Sequence, residues 1–185
     1  MLEELLQDAA KRMDKSVEAT RHKFTSVRTG RASAALLDRV QVDYYGAKTP
    51  LNQLASISVP EARMLIVTPF DKTAMREIEK AIMESDLGIT PSNDGKLIRL
   101  PIPALTEDRR KEMVKVAHRI AEEGKIAVRE IRRDILQDTK ELERDGAAGA
   151  DDVRRAEERV QKLTDGHVSQ IDAALKHKEE EIMEV

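Results

Sequence analysis

The densest chemistry in this 185-residue chain is an arginine run, Val128-Arg129-Glu130-Ile131-Arg132-Arg133-Asp134. A guanidinium suits phosphate because its planar fork donates two parallel hydrogen bonds. Lys125 stands four residues before Arg129, and Arg132 and Arg133 stand three and four after it, so on a helix these cations form one surface. With Ala127 and Ile131 on the inner seam, a rotation of about 100° per residue sends Lys125, Arg129 and Arg133 outward and leaves Arg132 at the flank. The competing account is an ordinary solvated helix face on which Glu130 and Asp134 neutralise the arginines. A second basic group is Arg28-Thr29-Gly30-Arg31, joined by Arg109 and Arg110 at the start of a later helix. Its competing account is solubility at a junction.

Other chemistry is thin. The aromatic residues are Phe24, Tyr44, Tyr45 and Phe70, with no tryptophan. Phe24 falls on a helix seam, and Tyr44 and Tyr45 point to opposite faces of a strand with at least one in the core, so base stacking is a poor expectation. Nucleic-acid binding would be to phosphate and shape. Walker, Gly-x-Gly-x-x-Gly, Gly-x-Ser-x-Gly and His-Glu-x-x-His patterns are absent, and an enzyme is not expected. His22, His118, His167 and His177 lack ligand spacing and read as structural or exposed. Asp151-Asp152 reads as a helix cap, not a metal pair. No cofactor or metal site is expected. Without cysteine there are no disulfides and no thiolate zinc sites.

The elements that must carry the arginines follow from periodicity. Three stretches place an apolar or small residue every three or four positions. The first is Leu2, Leu6, Ala9, Met13, Val17, Thr20, Phe24, Val27. The second is Met113, Ala117, Ile120, Gly124, Ala127, Ile131, Ile135, Leu142. The third is Val153, Ala156, Val160, Leu163, Ile171, Leu175, Ile182. Single helices are marginal in water, so the first must pack on the other two. The sequence therefore predicts an α+β fold: an elongated antiparallel three-helix bundle from residues 1–30 and 105–185, interrupted by a small, mostly β domain at 31–104. Helix one covers 2–28 and stops at Thr29-Gly30. Helix two runs from a Thr106 cap to Arg144, and at 1.5 Å per residue it is roughly 55–60 Å long. Asp145–Ala150 is the tip loop, and Asp151 or Asp152 caps helix three. Gly124 inside the second seam points to a close helix approach.

Within 31–104, Val40–Tyr45 reads as a strand ending at Gly46, with a turn at Thr49-Pro50. Ser56–Val59 is a short strand closed by Pro60, and Met64–Thr68 a central one. Asp71 caps a helix through Glu84 that turns Ala74, Ile78, Ala81 and Ile82 inward. Leu87–Thr90 and Lys96–Leu100 flank a hairpin turn at Ser92-Asn93-Asp94-Gly95. The chain crosses between the two parts twice, once at Gly30-Arg31 and once at Pro101, Pro103, Ala104 and Leu105, which defines a candidate hinge.

Composition agrees with thin aliphatic cores: 36% of residues are charged and 2% aromatic. Net charge is −3, so an anion-binding surface must be local. Residues 106–144 hold eleven Lys/Arg and ten Asp/Glu, whereas 145–185 hold six and eleven. The start lacks a signal peptide and no stretch is apolar enough to span a membrane, so a cytoplasmic protein without membrane contact is expected. Charged outer faces at Arg129 and Arg133 favour a monomer over the rival class, a homo-oligomeric coiled-coil scaffold whose small domain grips a protein.

Several segments, in order and across essentially the whole chain, resemble the bacterial ribosome recycling factor family. They are Arg12–Glu18, Val27–Ser33, Tyr44-Tyr45-Gly46, Glu79–Ile82 with Ser85–Gly88, Ile98–Pro103 with Leu105-Thr106-Glu107, and Val128–Asp134. The resemblance implies an L-shaped, two-domain molecule with roughly the outline of transfer RNA. It implies action on the post-termination ribosome with elongation factor G and GTP hydrolysis, dissociating the subunits and releasing mRNA and tRNA. It implies that the bundle lies on RNA of the large ribosomal subunit through Arg129 and Arg132, with Arg28 and Arg31 as hinge-side contacts.

Overall fold

The computed structural model describes residues 1–184; residue 185, the last of the segment expected to close the bundle, lies outside them. In chain order the elements are α1 (Leu2–Phe24), β1 (Gln41–Tyr44), β2 (Ala47–Pro50), α2 (Leu51–Leu54), β3 (Ala55–Glu61), β4 (Met64–Pro69), α3 (Met75–Glu84), β5 (Ser92–Asn93), β6 (Ile98–Pro101), α4 (Glu107–Arg144) and α5 (Ala150–Met183). The chain divides into two compact units, one of Met1–Arg28 with the residues from Asp108 onward, the other of Thr29–Glu107.

In the first unit, α1, α4 and α5 bury one stripe each in a shared core of Met13, Val17, Val128, Ile135, Val160 and Ile171, among others. Side-chain pairs give the directions. Arg159 meets Glu3 and His167 meets Asp14, so α5 runs parallel to α1. Arg12 meets Asp134 and Lys23 meets Glu123, so α4 runs against α1. At Gly124 the helices approach so closely that a Cβ there would overlap the Thr20 hydroxyl, which itself donates to the Ser16 carbonyl at 2.8 Å.

Four details of the bundle depart from expectation. The second seam passes through Val128, not Ala127, which is only half-buried, and continues to Thr139. The third uses Thr164 and His167 where Leu163 was expected; their polar atoms are satisfied by the Val160 and Leu163 carbonyls and, for His167, by Asp14. Helix α1 stops at Phe24, because Thr25 and Ser26 hydroxyls donate to the carbonyls of His22 and Lys23 and take up its C-terminal acceptors. Helix α5 begins at Ala150 on an extended Gly149. Asp151 and Asp152 lie in its first turn, where their charge is favoured by the positive end of the helix dipole and they do not cap.

The second unit is a four-stranded antiparallel sheet ordered β3-β4-β6-β5 beside the β1–β2 hairpin. Leu65 and Val67 of β4, Ile98 and Leu100 of β6, and Ile78 and Ile82 of α3 form its core with Val42. Asp71 accepts from the Thr73 amide and hydroxyl at 2.9 and 2.7 Å and opens a short turn leading into α3. Tyr45 and Gly46 both have positive φ, 47° and 80°, so Ala47–Pro50 folds back as β2 through a tight turn where the sequence suggested only an end. Strand β3 continues past Pro60 to Glu61. Pro60 sits on an edge strand, where the register is irregular between Ser58 and Glu61 and no ladder donor is needed. The later hairpin turns at 94–97, two residues beyond expectation, because the Asp94 carboxylate accepts from the amides of Lys96 and Leu97, each at 3.0 Å. Leu87–Thr90 forms no strand. No helix among the described residues is long and apolar enough to cross a membrane.

Candidate nucleic-acid interface

Placing Val128 on the seam of α4 fixes its neighbours by rotation. Arg132 and Lys125 then lie about 40° and 60° from the seam on the α5 side, Arg129 about 100° away and Arg133 about 140°. The side chains follow this order: Arg132 is half-buried, while Arg129 and Arg133 are exposed. Lys125 departs from its expected outward position. Only 18% of its side chain is exposed, and its Nζ lies 3.2 Å from both Glu122 and, on α5, Asp172. Burial alone would lower its pKa, but bonds to Glu122 and Asp172 outweigh it and leave the pKa raised, while Lys125 pulls the Glu122 pKa down. Lys125 is thus a strut between helices, with its charge spent. Arg129 shares Glu122 at 3.3 Å.

The neutralising account fails at Asp134. Its carboxylate turns to α1, where Arg12 donates to it at 2.7 Å and has its pKa raised by that bond. Arg132 and Arg133 instead head a shallow groove on α4, continued by Leu136, Gln137, Lys140, Glu141 and Arg144. Positions 132, 136, 140 and 144 recur every four residues, so the track extends about 18 Å along the helix. Four cations and one carboxylate, Glu141, line it; Glu141 accepts from Gln137 at 3.3 Å, and Arg144 at the far end pairs with Asp145 at 3.6 Å. The other flank of the same helix end carries Asp138, Glu141 and Asp145 opposite Glu4 and Asp8 of α1. The nearly neutral α4 therefore gathers Arg132, Arg133 and Lys140 on one side and Asp138 on the other, with Glu141 between them. Lys140 and Arg144 escaped the sequence reading; their four-residue spacing from Arg132 was the available signal.

The crossings lie in the second unit, apart from Arg28. Arg28 and Arg31 are exposed. Gly30 adopts φ +76° and packs on Leu105, whose Cγ would stand 3.4 Å from a Cβ at residue 30. Pro101 pairs with Met64 in the sheet. The amides of Ala32 and Ile102 donate to the carbonyls of Ala62 and Arg63 at 2.7 and 2.9 Å, so both crossings are tied down where they enter the sheet. Between these ties lie Gly30-Arg31, where the Arg31 amide donates to the Thr29 hydroxyl at 3.4 Å, and Pro103-Ala104-Leu105. Phe24 is buried and Tyr44 is half-buried with its hydroxyl donating to Asp71; Tyr45 and Phe70 are exposed. Among the described residues no three side chains are grouped to hold a metal ion.

A family model described as ribosome recycling factor matches residues 20–183. Ribosome-recycling factors of Bacillus velezensis and Bacillus subtilis are 58% and 56% identical to this chain over 185 residues, each covering all of both sequences. A solution structure of the ribosome recycling factor superposes with a TM-score of 0.76 at 41% identity, covering 100% of this chain and 98% of that one. A second solved chain, 43% identical with a TM-score of 0.68 and full coverage of both, belongs to models of the T. thermophilus ribosome recycling factor and the E. coli elongation factor G bound to the E. coli post-termination complex.

Proposed function

This chain belongs to the ribosome recycling factor family, and on that premise we propose that it binds the post-termination ribosome in the cytoplasm. Acting with elongation factor G and GTP hydrolysis, it separates the subunits and releases mRNA and tRNA. The observation that carries the RNA side of this reading is the charge arrangement on α4, where Asp134 is withdrawn to Arg12 and Arg132, Arg133 and Lys140 line one groove. Arg132, Arg129 and Arg133 hold phosphates of large-subunit RNA, Lys140 and Arg144 extend the contact, and Lys125 supports it from inside the bundle. Arg28 and Arg31 add contacts near the crossings. The protein itself supplies no catalytic group; the chemical work is the motor factor's GTP hydrolysis. Gly30-Arg31 and Pro103-Ala104-Leu105 serve as the hinge between a bundle of 1–30 with 105–185 and the domain of 31–104, so that a push on the small domain is converted to rotation while the arginine face stays fixed. The scaffold alternative is disfavoured by the charged outward faces at Arg129 and Arg133, which suit a monomer.

Arg132→Ala tests this reading. Binding to purified bacterial large subunits should weaken by about 1–3 kcal/mol with helicity intact. The slope of log affinity against log salt should fall by about 0.7–0.9. Unchanged affinity in a folded variant would refute the phosphate role of Arg132. Failure of the parent chain to dissociate post-termination ribosomes with elongation factor G and GTP would refute the reading as a whole.

A further inference from the structure

Arg132 is held from the neighbouring helix. Its Nε donates to Gln161 Oε1 at 2.8 Å, and Gln161 Nε2 donates to Asp165 Oδ1 at 2.8 Å. We infer that Gln161 and Asp165 of α5 are positioning residues for RNA binding, which aim the Arg132 guanidinium so that its two terminal nitrogens meet phosphate. This rests on the reading above that Arg132 contacts phosphate.

The relay has one direction. An ionised carboxylate only accepts, so Asp165 draws the Gln161 amide NH2 toward itself and thereby turns the amide oxygen to Arg132. Gln161 and Asp165 are four residues apart on one helix and so share a face. With Nε engaged, the Nη1 and Nη2 edge remains for a bidentate contact. The chemistry of the holder matters as much as its place. Lys125 is also tied to α5, but through the carboxylate of Asp172, with Glu122 on its other side, and its charge is cancelled. Gln161 is neutral, so it orients Arg132 and leaves the positive charge whole. Arg129 leans on Glu122 of its own helix and, among the described residues, has no comparable support from α5. Ordering a long side chain is a cost of association, and a side chain ordered at folding avoids it.

The experiment uses the full chain and purified large ribosomal subunits, with five variants, two of them Arg132→Ala alone and combined with Gln161→Met. Gln161→Met keeps length and removes both polar atoms; Asp165→Ala frees the amide to rotate; Asp165→Asn keeps an acceptor. Gln161→Met should weaken binding roughly three- to tenfold, the scale of one immobilised side chain. Its salt slope should match the parent, since no charge is lost. Asp165→Ala should lose less and Asp165→Asn should restore most of that loss. In an Arg132→Ala background Gln161→Met should have no further effect, because the two act as a unit. Parent-like affinity of both Gln161→Met and Asp165→Ala, beside a weakened Arg132→Ala, would overturn the inference and spare the reading it rests on. A Gln161→Met loss that persists without Arg132 would make Gln161 a direct RNA contact and also overturn it. If Arg132→Ala itself binds normally, the parent reading fails instead.

Discussion

In the bundle, carboxylates such as Glu3, Asp134 and Asp172 reach across helices to Arg159, Arg12 and Lys125, while others, such as Glu18 with Arg21 and Glu122 with Lys125, stay on their own helix. In the Thr29–Glu107 unit Asp71 and Asp94 close on their own turns, Asp71 on Thr73 and Asp94 on Lys96 and Leu97, while Asp43 pairs with Lys48 across the β1–β2 hairpin. Long regular helices offer no turns to stabilise, so their charges are available to set register between helices or to face a partner. Short strands end often, and each end leaves amides that a nearby Asp can accept from. A charged residue therefore carries different information in each unit. In the small one an aspartate such as Asp71 or Asp94 marks a turn, and in the bundle the role of residues such as Asp134 and Asp172 depends on which helix lies beside them.

Truncating each core is the strongest way to break this comparison. Leu65→Ala in the sheet and Ile171→Ala in the bundle should each cost about 2–5 kcal/mol, since both side chains are fully buried. Hydrogen exchange should show protection lost only in the unit that carries the change. Protection lost in both units from either change would mean that they do not fold independently.

Two glycines sharpen the same contrast at smaller scale. Gly124→Ala should destabilise the bundle by about 1–3 kcal/mol through overlap with Thr20, and Thr20→Ala should relieve much of that cost. Gly46→Ala should cost about 1 kcal/mol from its left-handed backbone alone, with no neighbour able to relieve it. Denaturant midpoints of the single and double variants measure both; additivity at Gly124 and Thr20 would contradict the close approach.

The smallest effect is in pH. Glu3 and Glu122 have lowered pKa values through Arg159 and Lys125, and Asp71 and Asp94 through bonds from Thr73 and from the amides of Leu97 and Lys96. A carboxylate depressed on folding adds stability above its ordinary value, 4.5 for Glu and 3.8 for Asp, and loses it as pH falls through the depressed one. Both units should weaken in acid. Added salt at neutral pH should erode the bundle's share more, because Glu3 and Glu122 face cations while Asp71 and Asp94 are lowered chiefly by neutral hydroxyl and amide donors, with Arg99 a lesser partner of Asp94. Equal salt sensitivity in the two melting transitions would remove the distinction.

Much of the fold is legible in the order of residues. The three seams, the central strand at Met64–Thr68, the Asp71 start and the glycine inside α4 are patterns over a few neighbours, and backbone geometry alone turns them into faces. The arginine run could be located for the same reason. What the residues around it do was settled by packing. Val128 displaced Ala127 from the seam by one position, and that rotation carried Lys125 to Asp172. Asp134 turned to Arg12, a residue 122 positions away, which left Arg132 to Gln161 and opened the track to Lys140 and Arg144. The small unit departed from the sequence reading where Pro60 continued an edge strand and Asp94 moved a turn. A helix period states which residues lie together on one helix, but an ion pair needs a partner of opposite sign within about 4 Å, and only the tertiary arrangement brings it there.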